Sequence, residues 1–155
     1  MTRIAALSLL SIVGLATVSV GAETSVKVTE IEVRLFQSHT GTLSEPIPEG
    51  ATLWNTVIGE GGAREPATST LVKVKVAGAP SSYNKSAAVE LTIKTTGTST
   101  KTTKTRKALG VFGPDGIQFV AFWLPNTGCE AVVLSARATG SSARLIHTVP
   151  FKCGE

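Results

Sequence analysis

Apolar and polar positions alternate along most of this chain with the two-residue period of β-strands. Val26 and Val28, then Ile31, Val33 and Leu35, are apolar with polar residues between them. The phase slips at Thr29-Glu30, as a bulge requires. Leu71 to Val76 reads LVKVKV, with Val72, Val74 and Val76 on one face and Lys73 and Lys75 on the other. Val89, Leu91 and Ile93 alternate with Glu90, Thr92 and Lys94. Ile117 to Leu124, IQFVAFWL, is apolar on both faces, which predicts a central strand covered on each side. Two further runs, CEAVVLSARAT from Cys129 and ARLIHTVPFKC ending at Cys153, flank Gly140-Ser141-Ser142 and read as a terminal hairpin.

Gly, Pro, Asn and Ser clusters separate these runs, at 44–50, 59–69, 78–85, 113–116 and 125–128. No ten-residue stretch has the period of an amphipathic helix. Seven or eight short strands at this spacing predict an all-β fold, an antiparallel β-sandwich, with a small β-barrel as the alternative. The strand pattern resembles an immunoglobulin-type sandwich, but the cysteines do not flank a tryptophan in the antibody manner: Trp123 precedes both. The resemblance extends to architecture and names no family.

Folding the hairpin back around Ser141 sets Cys129 opposite Cys153, within bridging reach, and predicts a disulfide. The same register sets Ser135 opposite His147. A bridge closing a loop of this length stabilises by roughly 3 kcal/mol in the chain-entropy description. Reduced thiols or a metal site fit less well, because there is no CxxC and neither histidine has metal-like spacing to a cysteine.

The first residues read as a leader. Arg3 gives a positive start, Ile4 to Val20 is apolar or small, and Val20-Gly21-Ala22 supplies the small residues of a cleavage site before Glu23. Ser8, Ser11, Gly14, Thr17 and Ser19 weaken the alternative of a permanent membrane helix. No cysteine follows to carry a lipid. The expectation is a cleaved secretory signal over 1–22, one domain over 23–155, no integral membrane span after cleavage, and a secreted or periplasmic location. Of 15 basic and 11 acidic residues, only Arg3 lies in the leader, so the remainder is mildly basic.

Composition removes several chemistries. The single aspartate, Asp115, sits in a Gly-Pro-Asp-Gly turn, so clustered acidic oxygens for calcium are missing. Neither a metal nor an organic cofactor is expected. The segment LWNTVIGEGG, residues 53–62, has loop glycines but lacks the Walker lysine and the strand–helix context of a nucleotide site. It reads as a long connection whose glycines permit positive φ. Trp54 either plugs its start or stands as a ligand platform; Trp54, Glu60 and His39 form the candidate loop surface, and loops 37–50 and 59–69 are the candidate working loops. Nothing in the spacing of Glu30, Glu32, Glu45, Glu49, Glu60 and Glu65 marks a glycosidase pair. A Ser135–His147 pair has neither an orienting acid nor a GxSxG elbow, so no catalytic residue is assigned.

The segment Lys94 to Lys107, KTTGTSTKTTKTRK, holds seven threonines, five cations and no acid. It reads as a solvated loop, as an edge ribbon whose lysines discourage aggregation, or as a polyanion-binding strip built on Lys94, Lys101, Lys104, Arg106 and Lys107. Nucleic-acid recognition is not expected, because no aromatics interleave with the charges. Asn84-Lys85-Ser86 is a glycosylation sequon. The function expected is non-enzymatic binding of an envelope protein or an anionic polymer. The alternatives are an accessory subunit of a cell-envelope assembly and a hydrolase with a loop-built site.

Overall fold

The computed structural model describes residues 25–97 and 100–154. The expected leader, 1–22, lies outside the described residues. Nine strands occur among them: β1 (Lys27–Phe36), β2 (Leu53–Trp54), β3 (Ser69–Ala77), β4 (Ala88–Thr96), β5 (Lys101–Ala108), β6 (Ile117–Pro125), β7 (Ala131–Ala138), β8 (Leu145–Val149) and β9 (Phe151–Lys152). A 3-10 turn spans Thr56–Ile58. No helix among the described residues is long and apolar enough to cross a membrane.

The fold is an antiparallel sandwich, not a closed barrel. One sheet has the order β1-β3-β6 and the other β5-β4-β7-β8, while β2 and β9 pair in parallel at one end. Alternation decides which side chains go in. Val72, Val74 and Val76 of β3 are fully buried, against Val33 and Leu35 of β1, Val89 and Leu91 of β4, and Leu134 and Ala136 of β7. Lys73 and Lys75 point outward and pair with Glu32 and Glu30 of β1. The β1–β3 register shifts between Val28 and Glu30, where the hydrophobic phase slips.

Two expectations are corrected. First, Ile117–Leu124 is not central: β6 is an edge strand of the three-stranded sheet. Val120, Phe122 and Leu124 enter the core, whereas Phe119 (53% exposed) and Trp123 (50%) stand in solvent. An exposed aromatic face and a second buried face have the same sequence signature. Second, the β7–β8 register differs by one residue, pairing Leu134 with His147 and Ser135 with Ile146. The hairpin turns between Gly140 and Ser141, with Gly140 at φ 80, in the left-handed region open to glycine. Past Val149, Pro150 has no N–H for a ladder, and Phe151–Lys152 leave β7 to pair with β2. That one-residue step brings Cys153 back to Cys129, and the two stand at disulfide distance, Cα–Cα 4.6 Å.

The C-terminal end of the free edge of β1 is covered. Ser44 N–H donates to the Leu35 carbonyl at 2.9 Å, Ile47 N–H donates to Val33 at 2.8 Å, and Leu43 bridges to Phe36. Much of loop 37–50 is thus spent closing a sheet edge.

Candidate functional site

The glycine-bearing loop is folded onto its own neighbours. Trp54 N–H donates to the Gly61 carbonyl at 3.1 Å, and a Cβ on Gly61 would stand 2.3 Å from the Trp54 carbonyl oxygen. Gly61 therefore serves close backbone approach, not phosphate cradling. Glu60 accepts from the Asn55 side-chain amide at 3.2 Å. Trp54 is 42% exposed, with Gly154 against its indole. His39 belongs to a different turn, where Glu65 Oε2 accepts the backbone N–H groups of His39 and Thr40 at 2.9 and 3.0 Å. The Thr40 hydroxyl donates to the same carboxylate, and these bonds hold Glu65 below the usual carboxylate range. Glu60 and Glu65 fasten loops here, and His39 is tied to Glu65 by its backbone.

His147 and Ser135 are on opposite faces of the four-stranded sheet. His147 shares the inward face with Leu134, its Nε2 buried without a partner among the described residues. Ser135 shares the outward face with exposed Ile146. The cross-strand facing of Ser135 and His147 implied by the sequence register does not occur. Among the described residues, no three His, Cys, Asp or Glu side chains gather as metal ligands.

The cationic segment is a strand over 101–108, so alternation divides its charges. Pairing with β4 sets Lys104 opposite Thr92 and Arg106 opposite Glu90, both facing outward with Lys94. Thr105 shares the inward face with buried Leu91, and Lys101 and Lys107 have the same parity. Lys107 is committed there: its Nζ donates to the Ala121 carbonyl of β6 at 2.6 Å and stands over the Phe122 ring.

Two arginines that the sequence reading omitted join the outward cations. Arg137 of β7 pairs with Glu90 at 2.5 Å, and Arg144 lines a small hollow of about 90 Å³ with Lys104, Thr92 and Ser135. The outer face of the four-stranded sheet therefore carries Lys94, Lys104, Arg106, Arg137 and Arg144 around Glu90. The Arg137 hydrogen bond, with Arg106 and Lys104 nearby, holds Glu90 ionised below the usual carboxylate range. Strand register was the missing signal, since Arg137 is 31 positions from Arg106 in sequence but both flank Glu90.

The outer face of the other sheet is aromatic. Trp123 meets Phe36 edge-on, ring centroids 5.1 Å apart, and Lys73 stands over Phe119 at 5.3 Å. Against this geometry, a scan of protein-family models finds no match, and no curated protein matches the chain.

Proposed function

We propose that this chain is an exported, non-enzymatic binding domain that engages an anionic polymer through the outer face of its four-stranded sheet. The observation that carries the reading is the gathering of Lys94, Lys104, Arg106, Arg137 and Arg144 on one face with, among the described residues, a single neutralising carboxylate, Glu90. These cations are spread over several strands and leave only a shallow hollow between them, which suits repeated phosphate, sulfate or carboxylate groups along an extended chain. Each exposed contact is weak, and their sum is steeply salt-dependent. The hydroxyls of Thr92, Thr102 and Ser135 on the same face supply donors between the charges.

A second reading, an accessory subunit of an envelope assembly, is favoured by one specific observation. Phe119 and Trp123 are half-exposed on an edge strand, where a partner strand or an apolar face can settle.

Binding to dextran sulfate and to polyphosphate columns, eluted with salt, tests the polymer reading. The variant Lys94→Ala/Lys104→Ala/Arg106→Ala/Arg144→Ala should elute at markedly lower salt than the wild type. Equal elution of the two overturns it, and a concentration-dependent mass in solution shifts the weight to the assembly reading.

A further inference from the structure

We infer that Lys107 is a latch on the β6 edge: it keeps two copies of this chain from pairing through that strand, a role independent of the polymer reading. β6 is an edge strand, with β3 on one side and, among the described residues, no strand on the other. The Ala121 carbonyl faces the open side, where it accepts the Lys107 ammonium at 2.6 Å. Backbone groups alternate along a strand, so the N–H and C=O of Phe119 and Trp123 face the same side. The Trp123 indole leans the other way, to Phe36 of β1, and leaves this backbone flank uncovered.

An exposed sheet edge invites pairing with a second chain, and charges, proline, shortness or a covering segment are the usual protections. β5 has Lys101, Lys104, Arg106 and Lys107 within eight residues. β8 is five residues long. β1 carries Glu30, Glu32 and Arg34, and residues 43–47 cover its C-terminal end. β6 differs from all three. Its nine residues, IQFVAFWLP, hold no charge, Pro125 comes only at the last position, and Phe119 and Trp123 are half exposed. The cation on its open side is supplied from β5, by Lys107.

The strand also matches itself. Antiparallel pairing of two copies about Ala121 sets Phe119 against the second copy's Trp123, Val120 against its Phe122 and Ile117 against its Pro125. Apolar meets apolar at each position, and no charge on β6 opposes the match. Lys107 opposes it twice. It holds the carbonyl at the centre of the register, and its ammonium is kept there by the Phe122 ring, 5.4 Å from the centroid. The two-fold relation would also bring the Lys107 of each copy to the same central pair of carbonyls, where like charges repel. A neutral side chain at position 107 removes both obstacles, and methionine keeps an apolar contact with the Phe122 ring.

Light-scattering mass and amide exchange, measured on the protein with its disulfide intact, test the inference. The wild type should keep the monomer mass as concentration rises, with fast exchange at the N–H groups of Phe119, Ala121 and Trp123. Lys107→Met should double the mass at high concentration and slow exchange at those positions. Lys107→Arg keeps charge and donors and should stay monomeric. Lys107→Met/Ala121→Lys should return to the monomer, because the two-fold sets this exposed position against itself and like charges then face each other. Unshifted core resonances check that the variants fold. Retention of Lys107→Met on dextran sulfate should match that of the wild type, so the latch and the polymer reading can fail separately. The inference is overturned by a wild type that already doubles in mass, by a monomeric Lys107→Met, or by a doubling that leaves the three amides unprotected or survives Ala121→Lys.

Discussion

Asn55 and Gly154 hold each other reciprocally: the Asn55 side-chain amide donates to the Gly154 carbonyl at 3.3 Å, and Gly154 N–H donates back to Asn55 Oδ1 at 3.2 Å. Asn55 N–H also donates to the Lys152 carbonyl, and the residue sits at φ 49, where asparagine is among the few side chains tolerated. Asn55→Ala removes these two bonds and the one to Glu60, and strains the backbone. It should cost about 1–3 kcal/mol in urea unfolding. Asn55→Gly keeps the conformation and should lose less from strain, separating backbone from side-chain effects.

The Cys129–Cys153 link fastens the same end of the chain. Reduction should raise the intact mass by two protons and lower thermal stability. The loss should be smaller than the roughly 3 kcal/mol of the chain-entropy figure, because Asn55 and the β2–β9 pairing still hold the segment near β2. Alkylation of both cysteines without a reductant contradicts the link.

Acid should destabilise the fold through three carboxyls. Partial burial opposes ionisation of Glu32, yet Lys73 and Arg34, each at 2.6 Å, hold it below the ordinary carboxylate value of 4.5. The Thr40 hydroxyl does so for Glu65, and Arg137 for Glu90. These groups release protons more readily folded than unfolded. The stability they add is complete above about pH 4.5 and is lost as pH falls through their lowered values. Melting temperature should therefore decline below that pH, and Glu32→Gln should be less stable near neutrality and show a shallower acid decline. An unchanged profile in the variant removes Glu32 from the account.

What could be read from the sequence follows the range of the interactions. LVKVKV specifies its own faces, because each valine or lysine needs only its neighbours to say which way it points. The bulge at Thr29-Glu30 is visible for the same reason. The placement of IQFVAFWL is not, since nothing local distinguishes a strand covered twice from an edge strand that displays Phe119 and Trp123. The hairpin register depended on the left-handed Gly140, and the step at Pro150 depended on β2, almost a hundred residues earlier. Glu60 and Glu65 looked like free loop carboxylates because their partners, Asn55 and the 38–41 turn, are set by folding. The cationic face was half visible: Lys104 and Arg106 announce themselves, whereas Arg137 and Arg144 arrive only when β7 is laid beside β4.

The strap of residues 43–47 occupies the C-terminal end of the β1 edge. A second chain that adds a strand along this end of β1 meets carbonyls already bonded by Ser44 and Ile47. Strand addition at that end of the sheet is opposed by about five residues that look, in the sequence, like idle linker.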